Sequence, residues 1–129
     1  MSSANDIGIN EYVKLAQRTS NVTDIGEKFV HGAMGLGGES GEVIDIIKKW
    51  KFHKHPLDIE TLDHLEKELG DVAWYFGEMC VALCRERMKL DGTVVTPADV
   101  LKANIEKLQK RYPEGFSTEK SMNRAEDDV

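Results

Sequence analysis

Gly35-Leu36-Gly37-Gly38-Glu39-Ser40-Gly41-Glu42-Val43-Ile44-Asp45-Ile46-Ile47-Lys48-Lys49-Trp50 is the stretch whose periodicity decides the fold. Drawn as a helix at about 100° per residue with Glu39 at zero, it places Leu36, Val43, Ile46 and Ile47 within about 80° of that acid, and Trp50 at about 20°. Glu42 lies about 60° to the other side, at the border of the same arc. A carboxylate therefore stands in the apolar stripe, with a second one turn along. The stretch from Leu65 to Leu83 repeats the design. With Glu68 at zero, Leu65, Val72, Tyr75, Phe76, Met79 and Leu83 fall within about 80°, and Asp71 sits about 60° to the edge.

Residues three apart occupy adjacent turns of one helix face. Acids at that spacing are usually solvated, so a single pair means little. Two pairs that both intrude into a core stripe mean more. On facing helices they converge, and four ionised carboxylates in a core repel one another and are poorly solvated. A hard divalent cation neutralises them, and Mg²⁺, with Mn²⁺ as a substitute, takes an all-oxygen set of this kind. Di-iron bundles also place acids inside, but they require Glu-x-x-His on two helices, and the sequence has none. His64, four residues before Glu68, is either a surface histidine or a partner to that acid.

Helical periodicity extends outward from these two stretches. It predicts a first helix from Ile9 to about Arg18 and a second from Asp24 or Glu27 to about Lys51. A third runs from about Ile59 to Met88. A fourth opens at Thr96-Pro97-Ala98-Asp99, with Thr as N-cap, Pro at the first helical position and an acid in the first turn, and ends near Arg111. His53–Pro56 breaks the pattern. Lys89–Val95 reads as a loop in which Gly92–Val95 is the one strand-like segment. Gly32, Gly35, Gly37, Gly38 and Gly41 each cost a helix interior about 1 kcal/mol relative to Ala, which calls for close helix approach or room for a ligand. The expected fold is all-α, a bundle of about four helices in a single domain over 1–129, with its core at about 9–116 and a polar tail over 117–129.

Composition agrees. The chain has 129 residues, 40% hydrophobic and 31% charged, as in one soluble globular domain. No apolar run nears the roughly 20 residues of a membrane span, and no basic and apolar leader pattern opens the sequence, so a cytoplasmic protein with no membrane partner is expected. The net charge of −6 argues against a nucleic-acid polymer as partner. It leaves nucleotides open, because a bound cation reverses the local sign. Cys80 and Cys84 lie four apart on one helix and read as packed thiols.

Gly35–Val43, Lys48-Lys49-Trp50 and Lys67-Glu68-Leu69-Gly70-Asp71-Val72-Ala73-Trp74-Tyr75, with Asn104–Leu108 and Lys110–Phe116, resemble the MazG-like nucleotide pyrophosphohydrolases of the all-α NTP pyrophosphatase superfamily. The likeness runs from about Phe29 to Phe116. It implies hydrolysis of a nucleoside triphosphate, often a deoxynucleotide, to the monophosphate and pyrophosphate. Glu39, Glu42, Glu68 and Asp71 would hold Mg²⁺, which polarises the phosphate chain and acidifies a water that attacks the α-phosphorus. Glu39, deepest in the stripe, is the choice for the catalytic base.

Lys49, beside Lys48 and Lys51, and Lys107 with Arg111 suit the phosphates and the charge that develops on pyrophosphate. His31, Trp50 and Trp74 are candidates for the base. Trp50 lies on the core stripe, whereas Trp74, about 120° off its own, faces a base or a subunit interface. The resemblance implies a homodimer or a dimer of dimers, with the site completed across the interface, in a house-cleaning or pool-regulating role. A non-catalytic helical module that binds nucleotide or a protein is the alternative. Gly38 stands where some relatives carry a further acid, and Ser121–Arg124 resembles the tails of phage-type members.

Overall fold

The structure is a computed structural model and describes residues 6–124; the two ends of the expected 1–129 domain lie outside them. Five α-helices occur, α1 (Ile9–Ala16), α2 (Ile25–His53), α3 (Ile59–Asp91), α4 (Pro97–Arg111) and α5 (Thr118–Met122), with a 3-10 turn at Gln17–Thr19 after α1. The all-α expectation holds, and no strand forms among the described residues. Gly92–Val95 is a correction: α3 runs on to Asp91, Gly92 ends it in the left-handed region at φ 73°, and no partner strand lies beside Thr93–Val95. Within the tail, Ser117 caps the single-turn helix α5 by accepting from Lys120 N at 3.4 Å. No helix among the described residues is long and apolar enough to cross a membrane.

The helix starts obey local chemistry. Asp24 and Asp58 cap α2 and α3 by accepting from the Glu27 and Thr61 amides, each at 2.9 Å, which satisfies donors that a helix leaves unpaired. Thr96 and Asp99 form a reciprocal capping box with Pro97 inside it. Asn10 Oδ1 accepts from Ala98 N at 2.8 Å and ties the start of α4 to α1.

The long pair α2 and α3 forms the body. The short Lys54–Asp58 connection makes them antiparallel neighbours. Across the seam Gly32 meets Met79, Gly35 meets Tyr75, and Glu39 meets Glu68 and Asp71. Two of the five clustered glycines are thereby explained. A Cβ on Gly35 would overlap the Tyr75 ring, and one on Gly32 would stand 2.8 Å from Met79 sulfur. Gly37, Gly38 and Gly41 face open space within the chain.

The buried apolar set among the described residues is small: Val13, Ile46, Cys80 and Ala82. Cys80 and the half-buried Cys84 are free thiols, and burial pushes Cys80 up to about 11. Trp50 is a correction. It is 41% exposed, because it lies so near the end of α2 that α3 does not cover it.

A polar cluster around buried Glu78 and Lys28 joins the turn after α1 to α2 and α3. Glu78 is fully buried and Lys28 is 3% exposed. Ser20 donates to Glu78 Oε1 at 3.2 Å, Lys28 Nζ donates to Ser20 Oγ at 3.3 Å and lies 3.9 Å from that same carboxylate oxygen. His31 Nδ1 completes the cluster, 2.6 Å from Glu78 Oε2.

This packing sets the expected stability of three variants. In thermal melts Gly35→Ala should lower Tm, because the new methyl must displace the Tyr75 ring. Gly38→Ala should raise it, by the helix preference of Ala, about 1 kcal/mol. In urea unfolding at fixed chain concentration, Glu78→Ala should cost about 3–5 kcal/mol, because it leaves the Lys28 charge buried and alone. A Lys28→Met/Glu78→Met double variant should recover much of that loss.

Candidate metal centre

α2 contributes Glu39 to the middle of the seam, and α3 contributes Glu68 and Asp71 from adjacent turns. One carboxylate oxygen from each of the three lies within 4.8 Å of the others. Glu39 and Glu68 are half-buried and Asp71 is exposed, so the cluster opens to solvent on one side. Burial pushes the Glu39 carboxyl above the ordinary glutamate range, and a hydrogen bond to Glu68 and the charges of Asp71, Glu68 and Glu42 push the same way. A cation among these oxygens would offset that mutual repulsion, and the all-oxygen donor set suits a hard divalent ion.

Glu42 stands beside the other three acids. It is exposed and, with Asp45, Lys49, His55 and His64, lines a neighbouring cavity of about 210 Å³. Its charge reaches Glu39, but its oxygens do not join the tight group of three. The helix wheel does not separate the two cases, since Glu42 and Asp71 both fall at the border of their stripes and only Asp71 joins the group. His64 is a partner to the motif acid, with Nε2 3.1 Å from Glu68 Oε1.

The candidate substrate residues are spread out. Lys49 pairs with Asp45 at 2.7 Å, and Lys48 pairs with the same acid at 3.4 Å. Lys49 thus faces the cavity that Glu42 lines. His31, Trp74 and Tyr75 form an edge-to-face aromatic cluster, with centroids 5.6 Å apart for His31–Tyr75 and 5.0 Å for Trp74–Tyr75. The Trp74 indole N–H is committed within the chain. It donates to Ala16 O at 3.1 Å and to Thr19 Oγ1 at 2.9 Å, while Gln17 Nε2 donates to Trp74 O at 3.1 Å. Only the ring faces of Trp74 remain to serve a base. Lys107 and Arg111 lie on α4, which packs on α1 and α3. The Arg111 guanidinium sits 5.9 Å from the centre of the Tyr112 ring.

Two residues at the site escape sequence reasoning. Tyr12 reaches in from α1, and its hydroxyl donates to Gly70 O at 3.4 Å, between the two α3 acids in sequence. Burial raises its phenol, and the Asp71 charge raises it further. Glu78 fixes the His31 ring from beneath. Glu78 had a usable signal, an acid set in the run Phe76–Cys84, whereas Tyr12 had none beyond its place in an apolar stripe.

Residues 33–116 match the MazG nucleotide pyrophosphohydrolase domain. The chain is also 35% identical over 92 residues to the Gene 37 protein of Mycobacterium phage L5, across 70% of this chain and 72% of that protein. This phage relative accords with the tail resemblance. No solved structure matches the chain. The matched span contains both acidic pairs, all of α3 and the part of α2 that carries Glu39 and Glu42, and the chain belongs to the MazG family of nucleotide pyrophosphohydrolases, hydrolases that depend in general on divalent metal ions.

Proposed function

We propose that the protein hydrolyses nucleoside triphosphates, deoxynucleotides included, to the monophosphate and pyrophosphate, with Mg²⁺, or Mn²⁺ in its place, held by Glu39, Glu42, Glu68 and Asp71. The observation that carries this reading is the convergence of carboxylate oxygens from Glu39, Glu68 and Asp71 to within 4.8 Å of one another. When bound, the cation supplies charge neutralisation at the phosphate oxygens and makes water more acidic.

The chain's own groups do the rest. Glu39, deepest in the apolar stripe, orients the attacking water and accepts its proton. His64 holds Glu68 in place. Lys49 meets the departing pyrophosphate from the adjoining cavity, and Lys107 and Arg111 add positive charge from α4. His31 and the faces of Trp74 and Tyr75 offer the flat surface a base needs, and Trp50 offers a second one.

The working unit in this reading is a homodimer or a dimer of dimers. Val30, Met34, Gly37, Gly41 and Ile44 make a stripe on α2 about 180° from Glu39. Its large members are 56%, 73% and 64% exposed, and its glycines meet nothing within the chain. A second copy packed on this stripe would bury it.

Incubation with each common nucleoside triphosphate should release pyrophosphate only when Mg²⁺ or Mn²⁺ is present. Release from none of them would sink the reading. Glu39→Gln, Glu68→Asn and Asp71→Asn should each lower kcat/KM by about 10²–10³, the scale of a lost charge-stabilising group. A folded, fully active Glu42→Gln would remove Glu42 from the ligand set and leave the reaction standing. In sedimentation velocity the protein should run as two or four chains, and Met34→Lys/Ile44→Lys as one. A monomeric wild type at micromolar concentration would contradict the assembly.

A further inference from the structure

A second cavity, of about 330 Å³, lies between α1, the 3-10 turn, the start of α2 and α3. Lys14, Arg18, Lys28 and Arg85 line it together with the hydroxyl-bearing Ser20 and Thr23, and no carboxylate does. Arg85 stands about 21 Å along α3 from Asp71 at the helical rise, so this cavity is separate from the acidic seam. Four cations gathered on one cavity are unexpected in a chain of net charge −6.

Their charge is little compensated. Lys14, Arg18 and Arg85 make no ion pair among the described residues. Lys28 is nearly fully buried and its ammonium carries three donors. One goes to Ser20 Oγ at 3.3 Å, and Glu78 Oε1 at 3.9 Å is beyond hydrogen-bond reach. Glu78 offsets part of the Lys28 charge from behind. Burial lowers the Lys28 ammonium below the ordinary lysine range, the Glu78 charge opposes this, and the positive charge of Arg85 lowers it further. Arg85 is thus near enough to repel Lys28, and an anion seated between them relieves that repulsion.

We propose that this cavity is a metal-independent anion site that takes the phosphate groups of a small oligophosphate. Its size is at the low end for ligand pockets, roughly 300–1,000 Å³, which suits a compact polyanion. Guanidinium groups reach it from two elements, Arg18 on the turn after α1 and Arg85 on α3. Their forked donors match phosphate oxygens, and Thr23 can add a hydroxyl donor. The site does not rest on the reaction proposed above.

The test separates the two sites by removing metal. The protein in EDTA is titrated calorimetrically with inorganic tripolyphosphate and, in a second arm, with a nucleoside triphosphate. We expect one saturable site per chain that weakens with salt. Arg18→Ala/Arg85→Ala should weaken it about tenfold or more, the scale of two lost charged hydrogen bonds, and Lys49→Ala should leave it unchanged. Equal affinity in the two arms assigns the site to the bare phosphate chain; tighter nucleotide binding adds a nucleoside contact to it. Both arginines are exposed, so the double variant should keep its melting temperature. No saturable binding in EDTA, undiminished binding by the double variant, or loss of binding in Lys49→Ala would overturn the proposal.

Discussion

The structure depends on how closely α2 and α3 approach at Gly35. Tyr75 occupies the space a side chain would fill there, and that contact sets the spacing of the seam. One helical turn further along, the same spacing presses Glu39 against Glu68 and Asp71. Glycine and acid cluster are thus one device. A bulkier residue at 35 would part the helices and relax the repulsion, and with it the reason for a cation to bind. The glycines weaken α2 as a helix, yet the seam needs that weakness locally. Asp24 and Asp58 secure the helix starts.

Much of this is legible in the sequence because periodicity reports on one helix at a time. Glu39 and Glu68 announce themselves by interrupting apolar stripes, whereas Glu42 and Asp71 both fall at the borders, and angle alone does not tell that Asp71 joins the tight group while Glu42 does not. Thr96, Pro97 and Asp99 mark the start of α4 through short-range chemistry alone. What stays hidden involves three elements at once. Glu78 is held by Ser20, Lys28 and His31, which come from the turn after α1 and from α2, and no wheel of α3 can show that. Trp50 misleads for the opposite reason. Its angle is apolar, but angle says nothing about whether a partner helix extends far enough to cover it.

Trp74 shows how a residue off its own core stripe can still be internal. Its N–H closes the end of α1 by donating to Ala16 O and Thr19 Oγ1, and Gln17 answers by donating to Trp74 O. The short α1 is thereby locked to α3 beside Asp71, which brings Tyr12 to the rim of the acids. The first helix is part of the site's scaffold although it carries no motif residue.

Charge is distributed along the bundle in a way that net charge conceals. The seam concentrates carboxylates in its middle, while cations gather in a separate cavity about 21 Å further along α3. Between them lies Glu78, which accepts from Ser20 on the side of Lys28 and meets His31 Nδ1 on the other. A helix pair of this length has room for both fields because its long axis separates them by more than a Debye length at physiological salt, about 8 Å.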